Sequence, residues 1–161
     1  MIYEYYKKAY PLNKGSGDGN LFRLFVEKNL SLLKQNGNLA YVLPSALMFE
    51  DGSLTLRKEI LENKTLEYFY SFENNKAIFI DVHRSYKFAL MLIKNTQANH
   101  THKIKMMFYK TDMNSLKNKD EILTLSLKDI KKLSPTHLAL MELKDKQALE
   151  ILRKCYNAFQ N

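Results

Sequence analysis

The sequence contains little cysteine, proline or glycine, and these scarcities already exclude several classes of protein. Its 161 residues include one cysteine, Cys155, three prolines and five glycines. A single cysteine excludes an internal disulfide framework and is typical of a reducing compartment, so we expect a cytoplasmic protein. We interpret Cys155 as a packing residue of a helix. No run of about 18 apolar residues is present, so no membrane span is predicted.

The chain also lacks the patterns that carry common catalytic or metal chemistry. No serine lies in a nucleophile elbow, and neither a Walker motif nor zinc spacing is present. The segment Gly15 to Gly19 resembles a phosphate-binding loop only superficially, because no strand precedes it. His100 and His102 lie two residues apart, without a neighbouring cysteine or carboxylate. We therefore predict no catalytic residue and no metal site.

What the sequence has in excess is positive charge. The formal net charge is +8 at pH 7. This favours an anionic partner, with nucleic acid as the first candidate. Lysine dominates the basic residues, so a solvated lysine-rich surface is the alternative explanation.

Short apolar runs predict the strands of an α/β sheet. The three clearest runs are Asn38 to Leu43, Leu66 to Phe72 and Lys87 to Ile93. We interpret the first as a buried strand that Pro44 ends, and the last as a strand covered on both faces. A further run, Lys103 to Lys110, is predicted as an edge strand.

Helical spacing of apolar residues predicts helices between these strands. Asn20 and Ser53 are placed to cap helices that run to about Gln35 and from Leu54 to Glu62. A capping-box spacing begins a short helix at Ser126. The apolar stripe of the first helix is assigned to the core and consists of Phe22, Phe25, Val26, Asn29, Leu30 and Leu33. A last amphipathic helix is predicted from Lys144 to Phe159, with Cys155 on its apolar side.

The loop from Glu73 to Tyr86 is the candidate binding site. It mixes Phe79 with His83 and Arg84, and it leads directly into the strand that begins at Lys87. Loops at the ends of buried strands are where α/β proteins present their ligand-binding residues. We therefore treat this loop as the functional centre and the remaining elements as its scaffold.

Several stretches together resemble one family, although each alone is weak. They are Gly19 to Phe25, Leu32 to Ser45 (LLKQNGNLAYVLPS), Leu56 to Lys58, Phe72 to Asn74, Ile78 to Leu90 (IFIDVHRSYKFAL), Leu125 to Ile130, Leu133 to Pro135 and Asp145 to Tyr156. In this order and spacing they resemble the adenine-specific DNA methyltransferase domain of type IIG restriction–modification enzymes.

The resemblance implies a fold and a place within it. It implies the C-terminal half of a Rossmann-like, S-adenosylmethionine-dependent methyltransferase sheet, with a reversed final hairpin, over residues 1–94. Residues 95–161 would form a mostly helical extension toward a target-recognition domain. The family's catalytic Asn-Pro-Pro-Tyr motif and its cofactor loop are not found, since Pro11, Pro44 and Pro135 are isolated. The chain resembles an interior segment that begins just after that motif.

The resemblance also implies roles for individual residues. Phe79 occupies the position of the aromatic residue that stacks on a flipped adenine, and π-stacking would offset part of the cost of unstacking the base. Pro44 and Ser45 would line the same pocket, while His83, Arg84 and Lys87 would contact the DNA backbone. The alternative for Phe79 is packing beneath its own loop.

Partners and activity follow from the same resemblance. The whole enzyme would bind duplex DNA and S-adenosylmethionine and methylate the exocyclic amine of adenine, and the resemblance leaves open whether it also cleaves DNA. The segment alone is expected to be inactive. It would pair with the rest of its polypeptide, and its exposed sheet edge would also allow two copies to associate. The alternative function is a non-catalytic basic module that binds nucleic acid or protein.

Overall fold

The computed structural model describes residues 2–13, 20–97 and 101–158. The glycine-containing segment Gly15 to Gly19, His100 and Phe159 therefore lie outside the described residues. No helix in the described ranges is long and apolar enough to cross a membrane.

A five-stranded mixed sheet organises the described residues. The strands are β1 (Asn38–Pro44), β2 (Thr65–Glu73), β3 (Lys87–Lys94), β4 (Lys103–Lys110) and β5 (Leu123–Ser126). Their spatial order is β1-β3-β2-β4-β5. β3 runs antiparallel to both β1 and β2, so the reversed hairpin predicted from the sequence is confirmed. The three predicted strands are each found within two residues of their predicted ends.

Only one face of this sheet is covered by the main core. Leu43, Ala89, Met91 and Phe69 point into that core. On the other face, Val42 is 56% exposed, and its neighbours Leu90 and Leu92 are half-buried. The predictions of a buried β1 and of a β3 covered on both faces are therefore wrong. Their apolar runs are real, but no described helix packs against the second face, which we call the open face.

Two helices from the first part of the chain cover the core face. They are α2 (Leu21–Leu32), which follows the N-terminal helix α1 (Ile2–Ala9), and α3 (Leu54–Lys58), which continues as a π-turn to Asn63. Leu56, Ile60 and Leu61 are buried as predicted. Neither Asn20 nor Ser53 makes the predicted side-chain cap bond, although both occupy N-cap positions.

Helix α2 departs from the prediction that one apolar stripe is all core. Val26 and Leu30 are buried, but Phe25 is 62% exposed, and Leu21 and Leu32 on the same side are also exposed. The helix is apolar on two sides, and periodicity alone does not separate the side that faces the core from the side that faces outward.

The extension after residue 94 adds two strands and then becomes helical. β4 pairs parallel to β2 and antiparallel to β5, so it lies inside the sheet, and its assignment as an edge strand is wrong. Helix α4 (Leu127–Leu133) begins with the predicted capping box, in which Ser126 and Asp129 bond reciprocally. Helix α5 (Lys146–Ala158) buries Leu149, but Cys155 is exposed, so its interpretation as a packing residue is wrong.

Candidate functional site

The direction of the strands places three predicted site residues, Pro44, Ser45 and Lys87, at the same end of the sheet, where its strands begin or finish. β1 ends at Pro44, β2 ends at Glu73 and the antiparallel β3 starts at Lys87, so these positions are neighbours. A cleft of about 520 Å³ opens there. Pro44, Ser45 and Lys87 line it, together with Asn20, Phe22, Ala46, Phe49, Glu50, Ser85, Tyr86 and Glu142.

The segment from Asn74 to Tyr86, which we call the aromatic loop, connects β2 with β3 at this end of the sheet. It exposes four apolar or aromatic side chains to solvent, namely Phe79, Ile80, Val82 and Tyr86. Large apolar side chains in an exposed loop often mark a binding surface. Ala77 adopts a left-handed conformation, with φ of 54°, just after the turn that starts the loop.

Phe79 is held against the sheet but remains accessible. Its ring lies 4.8 Å from the ring of Phe88 in an edge-to-face arrangement, and Phe88 stacks on Phe72 at 5.4 Å. Phe72 and Phe88 are buried on the open side of the sheet, whereas Phe79 is 41% exposed. Phe88 pairs in register with Pro44, so Phe79 lies beside the cleft and not among the residues that line it. This geometry leaves an aromatic surface free for a ligand.

His83 and Arg84 are exposed at the far end of the loop. The His83 Nδ1 atom lies 2.7 Å from the Ser85 hydroxyl, and the Arg84 guanidinium donates to the Asn75 carbonyl at 3.0 Å. A guanidinium has five donors, so this bond leaves others available. The structure does not bring His83 or Arg84 into the cleft with Pro44, Ser45 and Lys87.

Lys87 is half-buried and engaged by neighbouring side chains. Its ammonium donates to the Glu142 carboxylate at 2.9 Å and lies 4.9 Å from the centre of the Tyr109 ring. Burial opposes the charge on Lys87, but the hydrogen bond and attraction of Glu142 outweigh it, so the pKa of Lys87 is raised. The positive charge of Lys87, which the sequence analysis assigns to DNA contact, is therefore partly compensated by Glu142.

The wall of the cleft that is formed by the segment after β1 is held in place by a buried arginine. Arg57 is fully buried and donates to the carbonyls of Leu47, Glu50 and His137, at 3.2, 2.6 and 2.8 Å. Burial lowers the pKa of Arg57, and the charge of Asp51 opposes that change. The backbone N–H of Leu140 also donates to Met48 at 3.2 Å. The extension is thereby joined to the loop that follows β1.

Besides Arg57, sequence reasoning missed three residues that hold the aromatic loop or Lys87. Asn74 bonds to the aromatic loop, Phe88 supports Phe79, and Glu142 engages Lys87. Phe88 could have been recognised, since it directly follows the loop in an apolar strand. Asn74 and Glu142 gave no local signal, because their partners are distant in sequence or depend on the closed loop.

A metal site is not found among the described residues. No group of three or more His, Cys, Asp or Glu side chains is placed to bind a metal within them. The ring of His102 is bonded to the Leu66 carbonyl at 2.8 Å. A cleft of about 530 Å³ near His102 lies at the opposite end of β2 from the aromatic loop.

Comparisons with known proteins support the resemblance. Residues 2–79 match the family described as Eco57I restriction-modification methylase. The type II methyltransferase M.AccI of Acinetobacter calcoaceticus is 31% identical over 68 residues, which are 42% of this chain and 13% of that protein. The type II restriction enzyme and methyltransferase RM.Eco57I of Escherichia coli is 39% identical over 54 residues, which are 34% of this chain and 5% of that protein. The chain thus spans only a small part of these relatives.

Solved structures support the fold. A type I restriction–modification methyltransferase subunit from Streptococcus thermophilus superposes with a TM-score of 0.61 at 17% identity, covering 89% of this chain and 35% of that one. A protein from Listeria monocytogenes, solved as a candidate class I S-adenosylmethionine-dependent methyltransferase, gives 0.54 at 14% identity, covering 71% and 35%. The fold is that of part of an S-adenosylmethionine-dependent methyltransferase, and residues 2–79 are similar in sequence to the Eco57I restriction-modification methylases.

Proposed function

We propose that this chain is a segment of a DNA adenine methyltransferase of a type II restriction–modification enzyme. The whole enzyme transfers a methyl group from S-adenosylmethionine to the exocyclic amine of adenine in duplex DNA. The match to restriction–modification methylases supports the methyl transfer, and the type II relatives support the class. The observation that carries the proposal is Phe79, an accessible aromatic ring braced beside a cleft, and the choice of adenine follows from the resemblance of the sequence to adenine-specific methyltransferases.

The proposed role of Phe79 is to stack on an adenine that has been flipped out of the duplex. A flipped base loses its stacking neighbours, and an aromatic side chain restores part of that energy. Pro44 and Ser45 border the pocket that receives the base. Phe88 contacts the Phe79 ring edge-to-face, so the ring is already held in place before a base binds.

DNA is the proposed partner, and the basic loop residues are its proposed contacts. The net charge of +8 would attract the phosphate backbone, and His83 and Arg84 project from the aromatic loop into solvent. Lys87 could contact a phosphate only by leaving Glu142. We therefore expect His83 and Arg84 to contribute more to DNA affinity than Lys87 does.

The cofactor and the catalytic groups are assigned to the rest of the polypeptide. Among the described residues no glycine-rich turn follows a strand, and the cleft is lined by the carboxylates of Glu50 and Glu142. We assign none of these residues to S-adenosylmethionine. The segment is therefore expected to transfer no methyl group alone, and β1 offers its unpaired edge to the preceding part of the protein or to a second copy.

Methyl transfer to DNA tests the proposal. Radiolabelled S-adenosylmethionine and unmodified bacterial DNA are incubated with this chain and with a version extended upstream through the cofactor and Pro-Pro-Tyr motifs. We expect label only with the extended protein, and only in N6-methyladenine after digestion. Phe79→Ala should lower the rate about tenfold or more, since base–aromatic stacking contributes ~1–3 kcal/mol per base.

Ile151→Ala is the matched control, because Ile151 is an exposed apolar residue of α5 outside the aromatic loop. It should leave the rate unchanged, and Phe79→Tyr should retain most of it. Label in cytosine would contradict adenine specificity. Equal rates for Phe79→Ala and wild type would contradict the stacking role. DNA binding by this chain without methylation by the extended protein would favour the non-catalytic binding module.

A further inference from the structure

Asn74 is the most completely engaged polar side chain near the site, and the proposed reaction does not yet use it. It lies at the end of β2 and is fully buried. Its carboxamide nitrogen donates to the carbonyls of Phe79 at 2.9 Å and Val82 at 2.8 Å. Its carboxamide oxygen accepts from the Phe79 N–H at 2.8 Å. Asn74 thus bonds directly to both peptide groups that flank the Phe79 side chain.

The backbone of Asn74 closes the other end of the same loop. Its N–H donates to the Tyr86 carbonyl at 3.0 Å, and its carbonyl accepts from Ala77 at 2.8 Å. One residue therefore joins the start, the middle and the end of the aromatic loop. The other hydrogen bonds within the loop are the local Val82–Phe79, Tyr86–His83 and His83–Ser85 bonds and one longer bond, from the Arg84 guanidinium to the Asn75 carbonyl, and none of these except Val82–Phe79 reaches Phe79.

A carboxamide is well suited to bonding several backbone groups of the loop at once. Asparagine supplies two donors and an acceptor at one position, and here it uses all three functions. Alanine would remove this partner from two carbonyls and one N–H at a partly buried position, which should loosen the loop. Serine would be too short to reach two carbonyls that belong to residues three apart.

We propose that Asn74 is a positioning residue that holds the aromatic loop in the conformation presenting Phe79 to its ligand. Asn74 need not touch the base or the cofactor, because it acts through the backbone of Phe79. The loop-holding role stands on the geometry, whereas its consequence for methyl transfer rests on the proposed function above. A displacement of the ring by about 1 Å is enough to lower a reaction rate about a hundredfold.

Amide hydrogen exchange in this chain tests the loop-holding role without any activity. Asn74→Ala should raise the exchange rate of the Phe79 amide by tenfold or more, while the amides of β3 keep their wild-type rates. Asn75→Ala is the matched control, because Asn75 is exposed and bonds only to Glu73 through its side chain. If Asn74→Ala does not fold, Asn74→Ser is measured in its place. Unchanged Phe79 exchange in a folded variant would overturn the proposal.

Methyl transfer by the upstream-extended protein tests the consequence. We expect Asn74→Ala to lower the rate tenfold to hundredfold, and the double variant with Phe79→Ala to be no slower than Phe79→Ala alone. A general loss of stability would instead add to the effect of Phe79→Ala. Full additivity would overturn the positioning role in the reaction. If no variant and no wild type transfers methyl, the proposed function fails, and hydrogen exchange still decides the role of Asn74.

Discussion

At the scale of the residue, the cleft depends on buried polar groups that satisfy backbone carbonyls. Arg57 is the largest of these, since it is fully buried and its guanidinium reaches three carbonyls on two segments. Arg57→Ala should lower the free energy of unfolding by about 3 kcal/mol, because it removes charge-assisted hydrogen bonds and leaves unpaired carbonyls. Urea unfolding followed by circular dichroism measures this change.

The neighbouring Lys58 provides the comparison for Arg57. It lies on the same helix but is exposed, so Lys58→Ala should change the stability by less than about 0.5 kcal/mol. A cost below about 1 kcal/mol for Arg57→Ala would contradict the structural role assigned to the guanidinium.

The ion pair of Lys87 with Glu142 makes a prediction about pH. Because Glu142 raises the pKa of Lys87, the pair stabilises the fold fully below the ordinary lysine pKa, and this contribution is lost as the pH rises through the raised value. Glu142→Gln removes the attraction and leaves burial to oppose the charge. The Lys87 titration midpoint, measured by side-chain NMR, should then fall. An unchanged midpoint would show that Glu142 does not govern Lys87.

At the scale of the element, the strands were predictable and their surroundings were not. β1, β2 and β3 carry short apolar runs bounded by turn residues, so their positions follow from the sequence. The same runs do not reveal that Val42 faces solvent, because exposure depends on which elements pack on the sheet. β5 was missed because its four residues are too few to show a period. Cys155 was misplaced because helix α5 buries only one apolar residue.

In the candidate site, the sequence indicated the residues with recognisable binding chemistry but not the residues that hold them in place. The aromatic Phe79 and its basic neighbours stand out in sequence, and the resemblance supplied their roles, which stay predictions. The bonds of Asn74 exist only once the loop has closed around it. Glu142 lies 55 residues after Lys87, and no local pattern connects them.

The capping box of α4 makes a prediction about the extension. Ser126→Ala should destabilise the protein by about 1 kcal/mol, since it leaves an N–H at the helix start unpaired. Burial opposes the charge on Asp129, but bonds from Ser126 outweigh it and lower the pKa of that carboxyl. The box therefore contributes at neutral pH and is lost as the pH falls below about 4, through the lowered pKa.

Thermal unfolding at two pH values measures this effect. Ser31→Ala is a suitable control, because Ser31 is exposed and its hydroxyl donates only to the Lys28 carbonyl of its own helix. It should cost little at either pH. An equal loss for Ser126→Ala at neutral and acidic pH would contradict the participation of the Asp129 carboxylate.

At the scale of the whole molecule, three apolar features lie on the side of β1. β1 is the end strand of the sheet order, the open face beside it carries Val42 and Leu90, and α2 exposes Phe25. Apolar surface that the fold does not bury favours association. The proposed function therefore predicts that further polypeptide packs on this side of the sheet.

The same surface predicts how the 161-residue chain behaves by itself. The unpaired edge of β1 should allow two copies to join through backbone hydrogen bonds, so sedimentation velocity should show association that increases with concentration. Val42→Lys should suppress it, because it places a positive charge on β1 in both copies, and like charges on paired strands repel. Thr55→Lys adds the same charge at an exposed position of α3 and should associate like the wild type. Association unaffected by Val42→Lys would place the contact elsewhere, and a monomer at all concentrations would show that the edge of β1 is not adhesive.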